Sequence, residues 1–528
     1  MGAVIDPAVS SPLALAGRIV TMDAARTVRP DGVVYLRDGA ITAVQDAAQA
    51  PPAGFEQVPV VRTHATICPG LIELHNHLAY DVLPLWQVPE RYTNRDQWSA
   101  PSSKDYKRLI TGPMAVLGRD TSVVPAIVRY AEVRCLLGGT TTSQGIALAV
   151  NPGIIKMFRG LVRNVESTGD PLLPPATTHI SDVEATDAER FLQRLSGKQK
   201  LLLHLSEGTD AAAREHFLAL NLGGDRWAIT ANLIGIHCAA LTAADFDVFA
   251  AHGGSMVWSP LSNLLLYGRT AAVGDALAAG VPVALGSDWS PSGSKSLLGE
   301  LKVARLVARL TGVPVTGAQL LAMATSTPAA MLGWDAALGS LEPGKKADLI
   351  AVGSTSGDPY DTVLDATEHD VELVVINGIP RAGTSALMRE LGVAGERIHL
   401  GHHVRVLNLA QATADPDVAQ LSVAEAMSRL GSALQHLADA PEPGLLPTAA
   451  PPGAAMLAAS GVVDNGLTPR PHLPYRGHLT GTGLPDWNTP RLDTVAAPAL
   501  PAIRLDPLTA VQNGAYWQAL AREANLDQ

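Results

Sequence analysis

The chain of 528 residues is too long for one ordinary hydrophobic core, so we expect one large domain with accessory segments. Hydrophobic residues make up 47% and charged residues 17%, and the glycines and prolines show no period, which excludes a collagen, a coiled coil and a largely disordered chain. The net charge of −11, without a run of lysine or arginine, disfavours nucleic-acid and anionic-membrane partners.

The cysteine content and the hydropathy pattern predict a soluble, cytoplasmic protein. Cys68, Cys135 and Cys238 are few, odd in number and widely spaced, unlike the dense sets of secreted domains. Residues 1–17 lack the basic and apolar regions of a secretory signal. No later stretch reaches the roughly 18 uncharged apolar residues of a membrane span.

Alternating apolar residues predict short strands at two distant places. The first is in residues 1–68, where the Asp38-Gly39 pair predicts a hairpin turn. The second is in residues 337–384. We expect these two parts to form one small β-sandwich.

Between them, in residues 69–336, short apolar runs alternate with helical patterns, which is typical of βαβ units and a parallel sheet. Thr242 followed by Asp245 predicts the start of one intervening helix. The repetition predicts an α/β fold, a (β/α)8 TIM-like barrel with its helices outside. Buried strands are predicted at residues 201–204, 232–237, 255–259 and 281–288.

Residues 385–528 are predicted to be a C-terminal extension. Ser422 and Glu425 form a capping-box pattern at the start of one amphipathic helix over residues 422–439. Residues 441–507 are rich in proline and predict an irregular arm over the domain or a neighbouring subunit. A homo-oligomer is therefore expected.

The segment from Pro69 to Leu78 contains His75 and His77, which project from the same face of a strand because they are two residues apart. Two imidazoles on one face could hold a metal ion. The pair alone is weak evidence, since packed histidines without a metal explain this spacing about as often.

Further polar residues end later predicted strands, and in a parallel barrel that end is where catalytic residues gather. Polar residues that are merely hydrogen-bonded within the core would not all lie at the same end of the strands. Three imidazoles and a carboxylate suit zinc, with iron as the alternative ion. The residues are His204, Glu207, His237 and Asp288.

On these residues the chain resembles the mononuclear branch of the amidohydrolase superfamily, which includes adenosine-type, guanine and S-adenosylhomocysteine deaminases and the triazine hydrolases. The resemblance covers residues 13–383. It implies that one divalent metal ion, most simply zinc, activates water. The metal ligands implied are His75, His77, His204 and Asp288.

The resemblance also implies the catalytic roles. Asp288 would act as the base, His237 would polarise the substrate, and Glu207 would carry a proton to the leaving nitrogen. The family's Pro-x-Ser-Asn segment after the seventh strand is matched by Pro260, Ser262 and Asn263.

The sequence departs from the patterns of related enzymes at two places near the predicted site. Binuclear relatives use a carbamylated lysine on the fourth strand, and residues 176–181 and 139–145 contain no lysine, so one metal ion is expected. Many deaminases follow the eighth-strand aspartate with glycine, whereas this chain has Trp289, which leaves the substrate open.

Substrate contacts are expected from the loop after the first strand, where aromatic rings could stack on a planar substrate and Arg91 or Arg95 could hold an anionic group. Packing within the domain is the commoner role of such rings. Lys295 and Ser294 are two further candidates, for which surface placement is the favoured interpretation. The predicted substrate-binding residues are Trp86, Tyr92, Trp98, Asn263 and Trp289.

Other residues are given structural roles. Cys238 is expected to be a small buried hydrophobe. His402 and His403 are adjacent, so in a strand they would point to opposite faces and bind no metal together.

The predicted function is metal-dependent hydrolysis of a carbon–nitrogen bond, other than a peptide bond, in a small heterocyclic substrate. Deamination and hydrolysis of a cyclic amide or amidine remain open, as do hydrolysis of a linear amide or of a ring chloro substituent. A non-catalytic scaffold with this fold is the alternative of another class. A nucleic-acid enzyme would need a basic groove, which the composition does not supply.

Overall fold

The computed structural model describes residues 11–99, 103–145, 160–180, 182–411, 416–439, 500–510, 513, 514, 516 and 518. The strands in these residues are β1 Leu13–Val20, β2 Val28–Arg37, β3 Ala40–Asp46, β4 Val60–Pro69, β5 Leu71–Glu73, β6 Thr140–Ser143, β7 Arg163–Asn164, β8 Thr177–His179, β9 Leu201–Leu205, β10 Asn221–Gly223, β11 Arg226–Trp227, β12 Leu233–His237, β13 Ser255–Trp258, β14 Val283–Leu285, β15 Leu349–Val352, β16 Val371–Ile376, β17 Ile379–Thr384, β18 Glu396–Leu400 and β19 His403–Leu407.

The α-helices in the described residues are α1 Arg95–Ser99, α2 Lys104–Tyr106, α3 Gly112–Leu117, α4 Val124–Leu137, α5 Ala188–Leu195, α6 Ala211–Leu218, α7 Ala243–Ala251, α8 Pro260–Tyr267, α9 Val273–Ala278, α10 Leu297–Leu310, α11 Gly317–Ala322, α12 Ser326–Leu332, α13 Pro359–Asp365, α14 Ser385–Glu390, α15 Pro416–Ala419 and α16 Val423–Gln435. No helix in this part of the chain is long and apolar enough to cross a membrane.

One nine-stranded sheet combines strands from both flanks of the barrel region, in the order β18-β19-β17-β16-β15-β4-β1-β2-β3. Strand β15 pairs antiparallel with β4, which joins the two flanks. Asp38 and Gly39 have φ angles of 51° and 76° between β2 and β3, so the predicted hairpin is confirmed. The sheet continues through β18 and β19, beyond residue 384 where the sequence suggested its end.

Eight parallel strands lie between these flanks. They form a three-stranded sheet, β5-β6-β7, and a five-stranded sheet, β14-β13-β12-β9-β8. The backbone nitrogen of Asp288 donates to the carbonyl oxygen of His75 at 3.0 Å, beside a parallel bridge between Asn76 and Asp288, which links the two sheets. The nitrogen of Ala176 donates to the carbonyl oxygen of Val165 at 3.0 Å and links them on the other side. The α/β content and this strand order agree with the TIM-type fold predicted from the sequence.

The helix boundaries follow local capping. Thr242 and Asp245 form a complete capping box at the start of α7, as predicted. Ser422 caps α16 by accepting a hydrogen bond from the backbone of Glu425 at 3.1 Å. The carboxylate of Glu425 instead accepts from Arg429, so only half of the predicted capping box forms.

The C-terminal part packs against the barrel. Helix α16 buries Val423, Ala426, Leu430 and Leu434, and its contacts with α4 attach it to the outer helices. Residues 440–499, which hold most of the predicted proline-rich arm, lie outside the described residues. Residues 500–510 are described and return to the barrel.

Candidate metal centre

Three histidines and one aspartate meet at the carboxyl ends of the parallel strands. His75 and His77 follow β5, His204 lies in β9, and Asp288 follows β14. One ligand atom from each of the three histidines lies within 4.8 Å of the others. Asp288 Oδ1 lies 3.2 Å from Nε2 of His75 and 3.7 Å from Nε2 of His77. The structure therefore brings together all four residues predicted as metal ligands.

The donor set fits a divalent metal ion. His75 is fully buried, and within the described residues neither of its ring nitrogens makes a hydrogen bond of normal geometry, although Nε2 lies 3.2 Å from Asp288 Oδ1; this is costly for an imidazole that binds nothing. Burial lowers the pKa of His77 to about 4 and the pKa of His204 well below its ordinary value, so both rings are neutral and able to bind metal. Burial alone would raise the pKa of Asp288, but the adjacent imidazole of His75 holds it below its ordinary value.

Helix α8 supports the three proposed catalytic groups. It begins at Pro260, directly after β13, and its polar side chains are buried. Each of three side chains on this helix donates a hydrogen bond to a different group. The bonds run from Ser262 Oγ to Asp288 Oδ2 at 2.7 Å, from Asn263 Nδ2 to His237 Nδ1 at 3.1 Å, and from the Tyr267 hydroxyl to Glu207 Oε1 at 2.8 Å.

The bond from Asn263 determines the state of His237. Thr270 donates to Asn263 Oδ1 at 3.3 Å, which fixes the amide so that its nitrogen faces the imidazole. Nδ1 of His237 therefore accepts, and Nε2 carries the proton of the neutral ring. Burial lowers the pKa of His237 well below its ordinary value and keeps the ring neutral. Because Asn263 is fully buried and makes both of these contacts, it supports His237, although it was predicted to bind substrate.

Glu207 lies at the same ends of the parallel strands, and its carboxyl group is buried close to the charged group of Arg95. Burial raises its pKa to about 7, and this increase is opposed by Arg95 and by the bond from Tyr267. Arg95 Nη1 lies 3.6 Å from Glu207 Oε2, while Nη2 of the same guanidinium pairs with Asp182 at 2.5 Å. Oε2 of Glu207 lies 3.7 Å from Nε2 of His237. A carboxyl group with this pKa can both accept and donate a proton near neutrality.

Backbone strain coincides with these strand ends. Ser206, His237, Cys238 and Asp288 have φ angles of 50°, 69°, 50° and 57°, a region that non-glycine residues rarely occupy. Such strain persists where the surrounding structure fixes it, and it is common at functional sites. Cys238 itself is fully buried, as expected for a small hydrophobe.

An aromatic cluster adjoins the histidines. The Trp289 ring centroid lies 5.7 Å from that of His77 and 6.1 Å from that of Trp98. Trp86 lies 6.4 Å from Tyr92 and 6.5 Å from Trp98, so the four predicted substrate-binding rings are contiguous. All four are buried. Sequence reasoning missed two further members, Tyr80 and Tyr106, which lie 5.0 and 6.2 Å from Trp289.

The expected surface placement of Lys295 and Ser294 is wrong. Both side chains are buried, because Lys295 pairs with Asp506 and the Ser294 hydroxyl donates to Glu300. Tyr267 is another residue at the site that the sequence analysis missed; it lies four residues after Asn263 on α8, so the two side chains share one face of the helix.

Part of the chain matches a known protein family. Residues 206–380 match the model of the amidohydrolase family. This chain contains an amidohydrolase-family domain. It is similar to a 5-methylthioadenosine/S-adenosylhomocysteine deaminase of Moorella thermoacetica, at 28% identity over 66% of this chain and 89% of the relative. A protein of the same name from Nitratidesulfovibrio vulgaris is also 28% identical, over 68% of this chain and 89% of the relative.

Solved structures show the same fold. An adenosine deaminase from Xanthomonas campestris with bound zinc gives a TM-score of 0.56 at 19% identity, over 80% of this chain and 98% of that one. The zinc complex of atrazine chlorohydrolase from Arthrobacter aurescens gives 0.57 at 20% identity, over 79% and 100%. Guanine deaminase of E. coli gives 0.52 at 17% identity, over 70% and 99%.

Proposed function

We propose that this chain is a metal-dependent hydrolase that removes an amino group from a small, planar nitrogen heterocycle. The observation that carries the proposal is the convergence of three buried metal-type ligands and one partly exposed one, His77, with a protonatable carboxyl group, Glu207, at the carboxyl ends of the parallel strands. A scaffold protein has no physical need for this combination, since burying so many ionisable groups is unfavourable. The curated relatives, which are named deaminases, favour deamination over the other hydrolyses.

One divalent ion, with zinc the first choice, would be held by His75, His77, His204 and Asp288. Three neutral imidazoles and one carboxylate are a donor set that suits zinc, and two solved neighbours contain zinc. When bound, such an ion supplies Lewis acidity, which makes water a nucleophile near neutral pH. The described fourth strand, β8, contains no lysine, which supports a single ion.

The protein's own groups would divide the proton transfers. Asp288 is ionised, its Oδ1 faces the ligand histidines, and Ser262 orients its Oδ2, so the carboxylate is held where it would accept a proton from the attacking water. His237 presents a neutral Nε2–H, which can donate to the ring nitrogen or oxygen where negative charge develops. Glu207 is protonated up to about pH 7 and would donate to the leaving amine.

The aromatic cluster of Trp86, Tyr92, Trp98 and Trp289 supports a planar and largely apolar substrate. Because Trp289 lies beside the ligand His77, a ring stacked on the cluster would be close to the metal centre. Arg95 is already engaged by Asp182 and Glu207, so it is a poor anchor for an anionic substrate group. We therefore expect 6-aminopurine nucleosides with an uncharged thioether, such as 5-methylthioadenosine, to be preferred over S-adenosylhomocysteine, which carries charged groups.

The proposal also includes the division of the chain. Residues 69–336 would form a closed barrel, and residues 1–68 and 337–384 a β-sandwich; because β18 and β19 continue the sheet, we move the start of the extension from residue 385 to residue 408. Homo-oligomerisation remains a prediction from the sequence.

The test is elemental analysis of the wild type, Asp288→Ala and His204→Ala, combined with an ammonia-release screen over purine nucleosides, guanine, pterins, triazines and cyclic amides. His252→Ala, a partly exposed histidine outside the site, is the matched control. We expect about one metal ion per chain in the wild type and the control, and loss of metal and of ammonia release in the two variants. Bound metal without ammonia release would favour hydrolysis of an amide or of a ring substituent over deamination. A metal-free wild type would refute the proposal and would favour the alternative of a non-catalytic scaffold.

A further inference from the structure

A buried ion pair joins the far C-terminal segment to the loop that carries Asp288. Lys295 and Asp506 are 2% and 1% exposed, and the Lys295 ammonium contacts Asp506 Oδ2. A buried ammonium without a partner is strongly unfavourable, so each charge depends on the other. We call residues 288–296 the Asp288 loop, and residues 500–510 with Asn513 and Tyr516 the C-terminal strap.

Hydrogen bonds from several directions hold Asp506 in position. Its backbone nitrogen donates to the carbonyl oxygen of Val82 at 3.1 Å, and the Tyr130 hydroxyl donates to its carbonyl oxygen at 2.8 Å. Asn513 Nδ2 donates to Asp506 Oδ1 at 3.0 Å. The carboxylate that faces Lys295 is therefore fixed in position by the barrel and by the strap itself.

A second buried pair holds the Asp288 loop from the other side. Arg134 Nη1 pairs with Asp81 at 2.7 Å, and Nε of the same guanidinium donates to the carbonyl oxygen of Lys295 at 2.8 Å. Arg134 also donates to the hydroxyl of Ser290 at 2.5 Å, and Asp81 accepts from the backbone nitrogen of Ser290 at 3.1 Å. The loop is thus fixed at Ser290 and at Lys295.

We infer that Asp506 is a positioning residue for the active site: by pairing with Lys295 it fixes the Asp288 loop, and with it Asp288 and Trp289. This inference rests on the proposed function of Asp288. It gives residues 500–510 a role within their own chain, which agrees with the first of the two positions that the sequence left open for the arm, over the domain or over a neighbouring subunit. A carboxylate displaced by a fraction of an ångström loses much of its catalytic effect, so the strap controls turnover without touching substrate.

The test compares Asp506→Asn with Asp348→Asn in the full chain. Asp348 is a matched control because it is a buried carboxylate paired with an arginine, Arg163, at 2.9 Å, away from the candidate site. Metal content, thermal stability, kcat, KM and backbone hydrogen exchange of residues 288–296 are measured for both. We expect both to lose stability, but only Asp506→Asn to lose about tenfold to a hundredfold in kcat and to exchange faster in the Asp288 loop, with the metal retained.

Equal stability losses with unchanged kcat and unchanged exchange in Asp506→Asn would overturn the inference. If Asp506→Asn does not fold, Asn513→Ala takes its place with the same criteria; it removes the bond to Asp506 Oδ1 and the bond that Asn513 Oδ1 accepts from the backbone nitrogen of Tyr516. The neutral pair Lys295→Met with Asp506→Leu should recover much of the stability and kcat, because it removes both buried charges together. Hydrogen exchange and metal content do not depend on the substrate, so they separate failure of this inference from failure of the proposed reaction.

Discussion

Replacement of Tyr267 by phenylalanine tests whether Glu207 is the proton donor. The Tyr267 hydroxyl donates to Glu207 Oε1 at 2.8 Å and accepts from the Trp98 indole nitrogen at 2.9 Å. Tyr267→Phe removes one oxygen atom and keeps the buried ring. The variant therefore removes a donor that stabilises the ionised form of Glu207, and it leaves the Trp98 N–H without an acceptor.

The magnitude follows from the bond that is lost. A hydrogen bond to a charged group contributes about 1.5–3 kcal/mol, and each 1.36 kcal/mol corresponds to one pKa unit. We expect the pKa of Glu207, which burial raises to about 7, to increase further by about 1 to 2. A proton donor with a higher pKa remains protonated to higher pH. The alkaline limb of the kcat/KM profile should therefore move to higher pH, while the maximum kcat falls about tenfold because Glu207 is less well oriented.

The assay is the pH dependence of ammonia release for the wild type, Tyr267→Phe and the control Tyr35→Phe. Tyr35 is a tyrosine in the nine-stranded sheet, so its variant reports the general effect of removing a tyrosine hydroxyl away from the site. An alkaline limb that stays in place, or that moves equally in both variants, would refute the assignment of Glu207. A limb that moves to lower pH would show that Tyr267 does not stabilise the carboxylate.

Three further predictions follow from the same contacts. Ser262→Ala removes the bond to Asp288 Oδ2 and should lower kcat/KM about ten- to a hundredfold while the metal stays bound. Steady-state kinetics and elemental analysis of the variant test this prediction, and full activity would contradict it. Burial raises the pKa of Glu300 to about 8, above the value of about 4.3 in an unfolded chain, so the folded state binds more protons and stability falls as pH rises between these values. Denaturant unfolding should therefore show that the wild type loses about 2 kcal/mol more than Glu300→Gln between pH 6 and pH 8. Chelation of the metal should lower the melting temperature of the wild type and leave His204→Ala unchanged, and an equal response of the two would argue against the assigned ligand.

The convergence of the four candidate metal ligands could be predicted from the sequence because each obeys a local rule. His75 and His77 are two residues apart in a segment predicted as a strand, and His204 and Asp288 end apolar runs. In a parallel barrel these local positions all lead to the same rim, so no long-range information was needed to expect them together. The hairpin at Asp38-Gly39 was predictable for the same reason, since its turn type depends on two residues.

The supporting contacts could not be predicted in the same way. Whether Tyr267 reaches Glu207 depends on the angle at which α8 leaves β13, and no spacing in the sequence determines that angle. Lysine is rarely buried, so Lys295 was assigned to the surface. Its partner, Asp506, lies in a segment that shows no regular pattern. Glu425 illustrates competition at short range, because Arg429 takes the carboxylate that the capping box would have used.

These differences have a consequence for how substitutions in this chain act. The ligands depend on strand geometry, whereas their orientation depends on α8, the Asp288 loop and the C-terminal strap, which come from separate parts of the sequence. Substitutions at the ligands should remove metal and activity together. Substitutions at Ser262, Tyr267 or Asp506 should retain metal and change turnover or its pH dependence, because they move proton-transfer groups without removing a ligand. Measuring metal content and kcat together therefore distinguishes the two classes of residue, and it would expose any residue that has been assigned to the wrong one.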